Sequence, residues 1–161
     1  MNKKELAKKT MKLLIPGVIL AYGLTGVPEI MSERISDKHR LNQVIEEENI
    51  NLGLKNVKIQ GYFFDKHNIS SLIKPAESYK SHGLYKDDNG NIVNPDYQIN
   101  IFNTLGMTRG IVRHELAHIA NGDLEGRKVG FSNPAYWTYQ EHIANLYGAT
   151  KINLGSNKLL K

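Results

Sequence analysis

Residues 111 to 122 read IVRHELAHIANG and carry two histidines, His114 and His118, with Glu115 between them. In a helix, His114 and His118 stand four residues apart and project from one face, one turn above the other. Glu115 lies beside the first histidine, where its carboxylate can reach a metal-held water without binding the metal itself. The stretch therefore predicts a helix that offers two imidazole ligands and a carboxylate base, and the site requires a third ligand.

The length and composition of the chain limit what can surround this helix. A chain of 161 residues buries one sizeable core, so we expect one domain over residues 32–161, preceded by a leader over residues 1–31. The chain contains no cysteine, which excludes disulfides, thiolate ligands and a cysteine nucleophile. Any metal bound here must take nitrogen and oxygen ligands.

The net charge of +5 is concentrated at the start of the chain. Five lysines and one glutamate put +4 on the first 26 residues, so the remainder is nearly neutral. A nearly neutral domain has no basic surface that could neutralise phosphates. We therefore expect no nucleic-acid partner.

An apolar run at residues 13–27 follows these lysines and is interrupted by Pro16 and Gly17. Its length fits the hydrophobic region of a signal peptide, and residues 21–23 offer a small-x-small cleavage site. The preceding lysines would place the rest of the chain across the membrane. We expect a membrane-anchored or extracytoplasmic protein that associates with the membrane through residues 13–27. The alternative is a docked helix of a cytoplasmic protein.

The segments between the leader and the motif predict one helix and several strands. A helix capped by Ser36 or Asp37 runs to about residue 50, and residues 56–64 alternate as a half-buried strand. Residues 83–102 are typical of a hairpin that turns at residues 88–91 and returns as YQINIF. At a sheet edge, that returning strand could pair with an extended peptide; an internal position is the alternative.

The motif helix and the last helix both have clear end signals. Thr108 is a cap for the motif helix, which Asn121 and Gly122 end, and Asn133-Pro134 starts a last helix that runs to about Thr150.

The last helix carries the candidate third ligand, Glu141. Asn145 follows on the same face one turn later, where it could hydrogen-bond a ligand histidine and fix its ring. His142 is an alternative ligand, but it points about 100° away from Glu141, so only one of the two can face the site.

Taken together, HELAH at residues 114–118 and EHIAN at residues 141–145 resemble the gluzincin metallopeptidases, which pair an HExxH helix with a glutamate ligand on a following helix. The order of elements over roughly residues 36–152 is similar to that of the compact ImmA/IrrE-type members. The resemblance implies an α+β, zincin-like fold with a small, mostly antiparallel sheet packed on the two ligand helices. The leader is unusual for a family known mostly for cytoplasmic regulatory proteases.

This resemblance implies one zinc ion held by His114, His118 and Glu141, with Glu115 as general base. The expected activity is hydrolysis of a peptide bond, in a peptide or protein substrate, by a metal-activated water. A donor for the developing oxyanion is also needed. The candidates for it are Tyr136, Tyr139, His142 and Arg127. Two alternatives stay open: a cytoplasmic ImmA-type regulatory protease, and a non-catalytic binding domain that zinc stabilises.

Overall fold

The computed structural model describes residues 31–64, 76–87, 90–102, 107–124 and 134–152, without the side chains of residues 134–137. These residues form an α+β fold, as expected. The elements in chain order are α1 (Lys38–Asn51), β1 (Ile59–Phe63), β2 (Ala76–Lys80), β3 (Tyr85–Lys86), β4 (Ile92–Val93), β5 (Tyr97–Ile101), α2 (Arg109–Ala120) and α3 (Pro134–Thr150).

The three predicted helices are confirmed, and their ends follow from local chemistry. Asp37 caps α1 by accepting a hydrogen bond from the Arg40 backbone nitrogen at 2.8 Å. The Thr108 hydroxyl caps α2 in the same way, and α2 ends at Asn121, followed by Gly122 with a φ of 69°. Asn133, the predicted cap of α3, lies outside the described residues.

The main sheet has three strands in the order β1-β5-β2, with β5 parallel to β1 and antiparallel to β2. A separate two-stranded antiparallel sheet joins β3 to β4, so two of the three strand pairings in the described residues are antiparallel.

Of the edge and internal positions left open for YQINIF, the internal one is confirmed, because β5 is the central strand and all five of its residues are buried. The predicted hairpin is only partly correct, since the strand beginning at Tyr85 pairs with Ile92–Val93 rather than with β5. The alternation of Tyr97, Ile99 and Ile101 with Gln98 and Asn100 is typical of a half-exposed strand, but here both faces are covered.

Helix α1 packs directly on β1 at Gly61. A Cβ atom at this position would lie 2.6 Å from the Leu41 Cγ atom, and the Gly61 nitrogen donates to Asn42 Oδ1 at 2.9 Å. The absence of a side chain therefore lets the helix approach the sheet closely.

Helix α2 packs against α1, α3 and β2, which surrounds the motif helix with buried residues.

Glu48 joins all three helices from a fully buried position on α1. Its carboxylate accepts hydrogen bonds from Arg109 Nε at 2.6 Å and Arg113 Nη2 at 2.9 Å, both on α2. The Tyr147 hydroxyl on α3 donates to it at 3.4 Å, and Asn51 donates at 3.2 Å. Burial alone would raise the pKa of Glu48, but the hydrogen bonds from Arg113, Arg109 and Asn51 outweigh burial and lower the pKa from 4.5 to about 2.

No helix within the described residues combines the length and the apolar character needed to cross a membrane. The apolar run at residues 13–27 lies outside the described residues, so the interpretations of the leader stay predictions.

Candidate metal centre

Helices α2 and α3 bring two histidines and one glutamate together. The Nε2 atoms of His114 and His118 lie 3.2 Å apart. Glu141 faces both rings: its Oε2 atom is 3.5 Å from His114 Nε2 and its Oε1 atom is 3.6 Å from His118 Nε2. One potential ligand atom from each residue lies within 4.8 Å of the other two, so this group could bind a metal ion.

The three side chains are mostly buried but remain reachable from solvent. Their exposed fractions are 14% for His114, 12% for His118 and 21% for Glu141. The two imidazole rings meet edge to face, with centroids 4.9 Å apart and an interplanar angle of 73°. The proximity of the rings follows from the i, i+4 spacing on α2, which places them next to each other on one face of the helix.

Asp123 contacts His118 from the side opposite the other two ligands. Its Oδ2 atom lies 2.9 Å from His118 Nδ1, and its Oδ1 atom accepts a hydrogen bond from Gln140 Nε2 on α3. The backbone nitrogen of Asp123 donates to the His118 carbonyl at 3.0 Å, so the chain turns back towards the last turn of α2. Sequence reasoning missed Asp123, although a carboxylate just past a predicted Asn-Gly helix end was a usable signal.

Glu115 follows His114 on α2 and is 8% exposed. It lies about 100° around the helix from His114. Its carboxylate has no hydrogen bond or ion pair with any residue that the structure describes. The Glu115 oxygens are not among the fully buried side-chain atoms that lack a partner, so solvent can reach them.

Of the two alternative ligands on α3, Glu141 rather than His142 faces the histidine pair. Tyr139 is 56% exposed and makes no hydrogen bond or ring contact with His114, His118 or Glu141. Tyr139 lies about 200° around α3 from Glu141, so its side chain projects from a different face of the helix than the Glu141 carboxylate.

Asn145 lies one turn after Glu141 on the same face of α3 and is buried, at 4% exposure. Its Nδ2 atom has no hydrogen-bond partner in the described part of the chain. The amide nitrogen therefore does not donate to a ligand histidine, and Asp123 occupies the position beside His118 instead. Arg127 and the side chain of Tyr136 lie outside the described residues, so their predicted roles as oxyanion donors stay predictions.

Comparison of the chain with protein-family models, with curated proteins and with solved structures gave no match.

Proposed function

We propose that the chain is a zinc-dependent metallopeptidase in which His114, His118 and Glu141 hold one zinc ion and Glu115 is the general base. The observation that carries this proposal is the convergence of three nitrogen and oxygen ligand atoms from α2 and α3, together with a mostly buried glutamate, Glu115, directly after His114 in the chain. The resemblance of HELAH and EHIAN to the gluzincin motifs supports the same assignment. A relationship to the compact ImmA/IrrE-type members, suggested by the similar order of elements, is part of the same proposal.

The spacing of the ligand atoms fits zinc. Bonds from zinc to imidazole nitrogen or carboxylate oxygen measure about 2.0–2.2 Å, so neighbouring ligand atoms of a tetrahedral site are separated by about 3.3–3.6 Å. The two histidine Nε2 atoms lie 3.2 Å apart, and each lies 3.5–3.6 Å from a different oxygen of Glu141, while a single atom of each residue lies within 4.8 Å of the other two. Imidazole and carboxylate are also donors that zinc accepts, and the chain has no cysteine to offer a softer site.

The number of ligands favours a catalytic site over a structural one. Structural zinc sites are closed by four protein ligands, whereas catalytic sites have three and keep one position for water or substrate. The described residues supply three. Three is the number of protein ligands that a catalytic site uses.

A zinc ion held by His114, His118 and Glu141 would supply Lewis acidity, which makes a water more acidic and a carbonyl more electrophilic. Glu115 would accept the proton of the attacking water and pass it to the departing amine. Glu115 follows His114 directly on α2, and the lack of a partner among the described residues would leave its carboxylate available for that transfer.

The test compares purified wild-type protein with a Glu115→Gln variant. We expect each to hold about one zinc per chain, measured by metal analysis, because Glu115 is not a ligand. Cleavage of a peptide library, followed by mass spectrometry, should fall by a factor of about 10² or more in the variant, the usual contribution of a general base.

Glu46→Gln is the matched control, since Glu46 is an exposed glutamate on α1. It should change neither zinc content nor cleavage. Unchanged cleavage by Glu115→Gln would refute the assignment of Glu115 as general base. A zinc-loaded wild type that cleaves no peptide would contradict the proposed peptidase activity.

A further inference from the structure

We propose that Asp123 is a positioning residue that fixes the ring of His118 and ties it to the helix that carries Glu141. This inference rests on the proposed metal site. It starts from two contacts of one side chain: Asp123 Oδ2 lies 2.9 Å from His118 Nδ1, and Asp123 Oδ1 accepts from Gln140 Nε2.

The first contact selects one tautomer of His118. An aspartate carboxylate can only accept hydrogen bonds, so the proton of the neutral ring must be on Nδ1. The lone pair is then on Nε2, the atom that lies 3.2 Å from His114 Nε2 and 3.6 Å from Glu141 Oε1. Asp123 therefore directs the metal-binding nitrogen of His118 towards the other two ligands.

The second contact reaches α3. Gln140 is the residue before Glu141, so its hydrogen bond to Asp123 links the turn after α2 with the helix segment that supplies the third ligand. Glu48 makes a comparable link away from Asp123, because it binds Arg113 on α2 and Tyr147 on α3. The residues that would hold the metal lie, along both helices, between these two polar links.

A role confined to ending α2 does not explain the Asp123 side chain. The turn is already closed by backbone hydrogen bonds, including those from Gly122 to Ile119 and from Asp123 to His118. The side chain is 8% exposed, and its two oxygens are directed at His118 and Gln140 rather than at backbone nitrogens.

The experiment measures zinc affinity and the His118 tautomer in Asp123→Ala, Asp123→Asn and Gln140→Ala. Competition with a chromogenic chelator should show a loss of affinity of about 10- to 100-fold for Asp123→Ala. Asp123→Asn should lose less, because its amide oxygen can still accept from Nδ1. Gln140→Ala should also lose less, since the contact to His118 remains.

Nitrogen-15 NMR of the metal-free protein provides a readout that a merely structural residue would not move. Wild type and Asp123→Asn should show His118 protonated at Nδ1, whereas Asp123→Ala should lose this preference. If Asp123→Ala does not fold, Asp123→Asn and Gln140→Ala still decide the proposal through their zinc affinities. Glu46→Gln is again the control and should match wild type in both measurements.

Two results would overturn the inference. One is zinc affinity within about twofold of wild type in all three folded variants, since outer ligand partners typically contribute tenfold or more. The other is an unchanged Nδ1 tautomer in Asp123→Ala. Failure of the wild type to bind zinc would instead refute the proposed function, while the tautomer measurement would still decide whether Asp123 fixes the ring.

Discussion

Replacing Glu48 by glutamine should remove a large part of the stability of the fold in a manner that depends on pH. The substitution keeps the shape of the side chain but removes the charge that Arg109 and Arg113 bind. The folded-state pKa of Glu48 is about 2, against 4.5 for the unfolded chain. This difference corresponds to about 3 kcal/mol of stability at neutral pH, at about 1.36 kcal/mol per pKa unit.

The direction of the pH dependence follows from the lowered pKa. Stability from a carboxylate whose pKa is lowered by folding is complete above the unfolded pKa of 4.5 and is lost as the pH falls through about 2. The free-energy difference between wild type and Glu48→Gln should therefore be about 3 kcal/mol at pH 7 and less than half of that at pH 3. Glutamine resembles the protonated acid, so the two proteins converge at low pH.

Urea unfolding followed by circular dichroism at pH 7, 5, 4 and 3 measures this difference. Glu46→Gln on the exposed side of α1 is the control and should stay within about 0.5 kcal/mol of wild type at each pH. A Glu48→Gln difference that is small at pH 7, or that stays constant down to pH 3, would refute the ion-pair account of this buried network.

Three further predictions concern other parts of the chain. Gly61→Ala should destabilise the fold by about 1–3 kcal/mol in the same urea assay, because its Cβ would lie 2.6 Å from Leu41 Cγ; wild-type stability would contradict the close packing of α1 on β1. Burial and the charge of Glu48 raise the pKa of Tyr147 from 10 to about 12, so stability present below pH 10 is lost as the pH rises towards 12. Wild type should therefore lose about 1 kcal/mol more than Tyr147→Phe between pH 9 and pH 11, and equal losses would refute this. Cell fractionation with sequencing of the mature amino terminus should find a membrane-bound or exported protein, and a cytoplasmic protein that still begins with Met1 would contradict the leader interpretation.

The helices and the position of His114 and His118 on one helix face were predictable because local rules determine them. Asp37 and Thr108 cap α1 and α2 through contacts within three residues, which the sequence displays directly. Helical periodicity placed His114 and His118 on one face and required a choice between Glu141 and His142. The fold resolved that choice in favour of Glu141, because α3 packs on α2 with that face.

The features that sequence reasoning missed depend on partners distant in the chain. Strand β5 alternates apolar and polar residues, and only the placement of β1 and β2 on its two sides shows that it is central. Glu48 continues the i, i+3, i+7 spacing of Leu41 and Val44, but its partner Arg109 lies 61 residues away. The available signal for that ion pair was an acidic residue in line with the apolar face of a predicted helix.

X-ray absorption at the zinc edge of the purified, zinc-loaded protein tests the central claim most directly, because it reports the atoms that surround the metal. We expect nitrogen and oxygen ligands at about 2.0–2.2 Å, with multiple scattering from two imidazole rings. The signal of one ring should disappear in His118→Ala, since His118 Nε2 lies within 3.6 Å of Glu141 Oε1 at the proposed metal position. A spectrum with no imidazole scattering, or one that is identical in wild type and His118→Ala, would contradict a metal centre formed by α2 and α3.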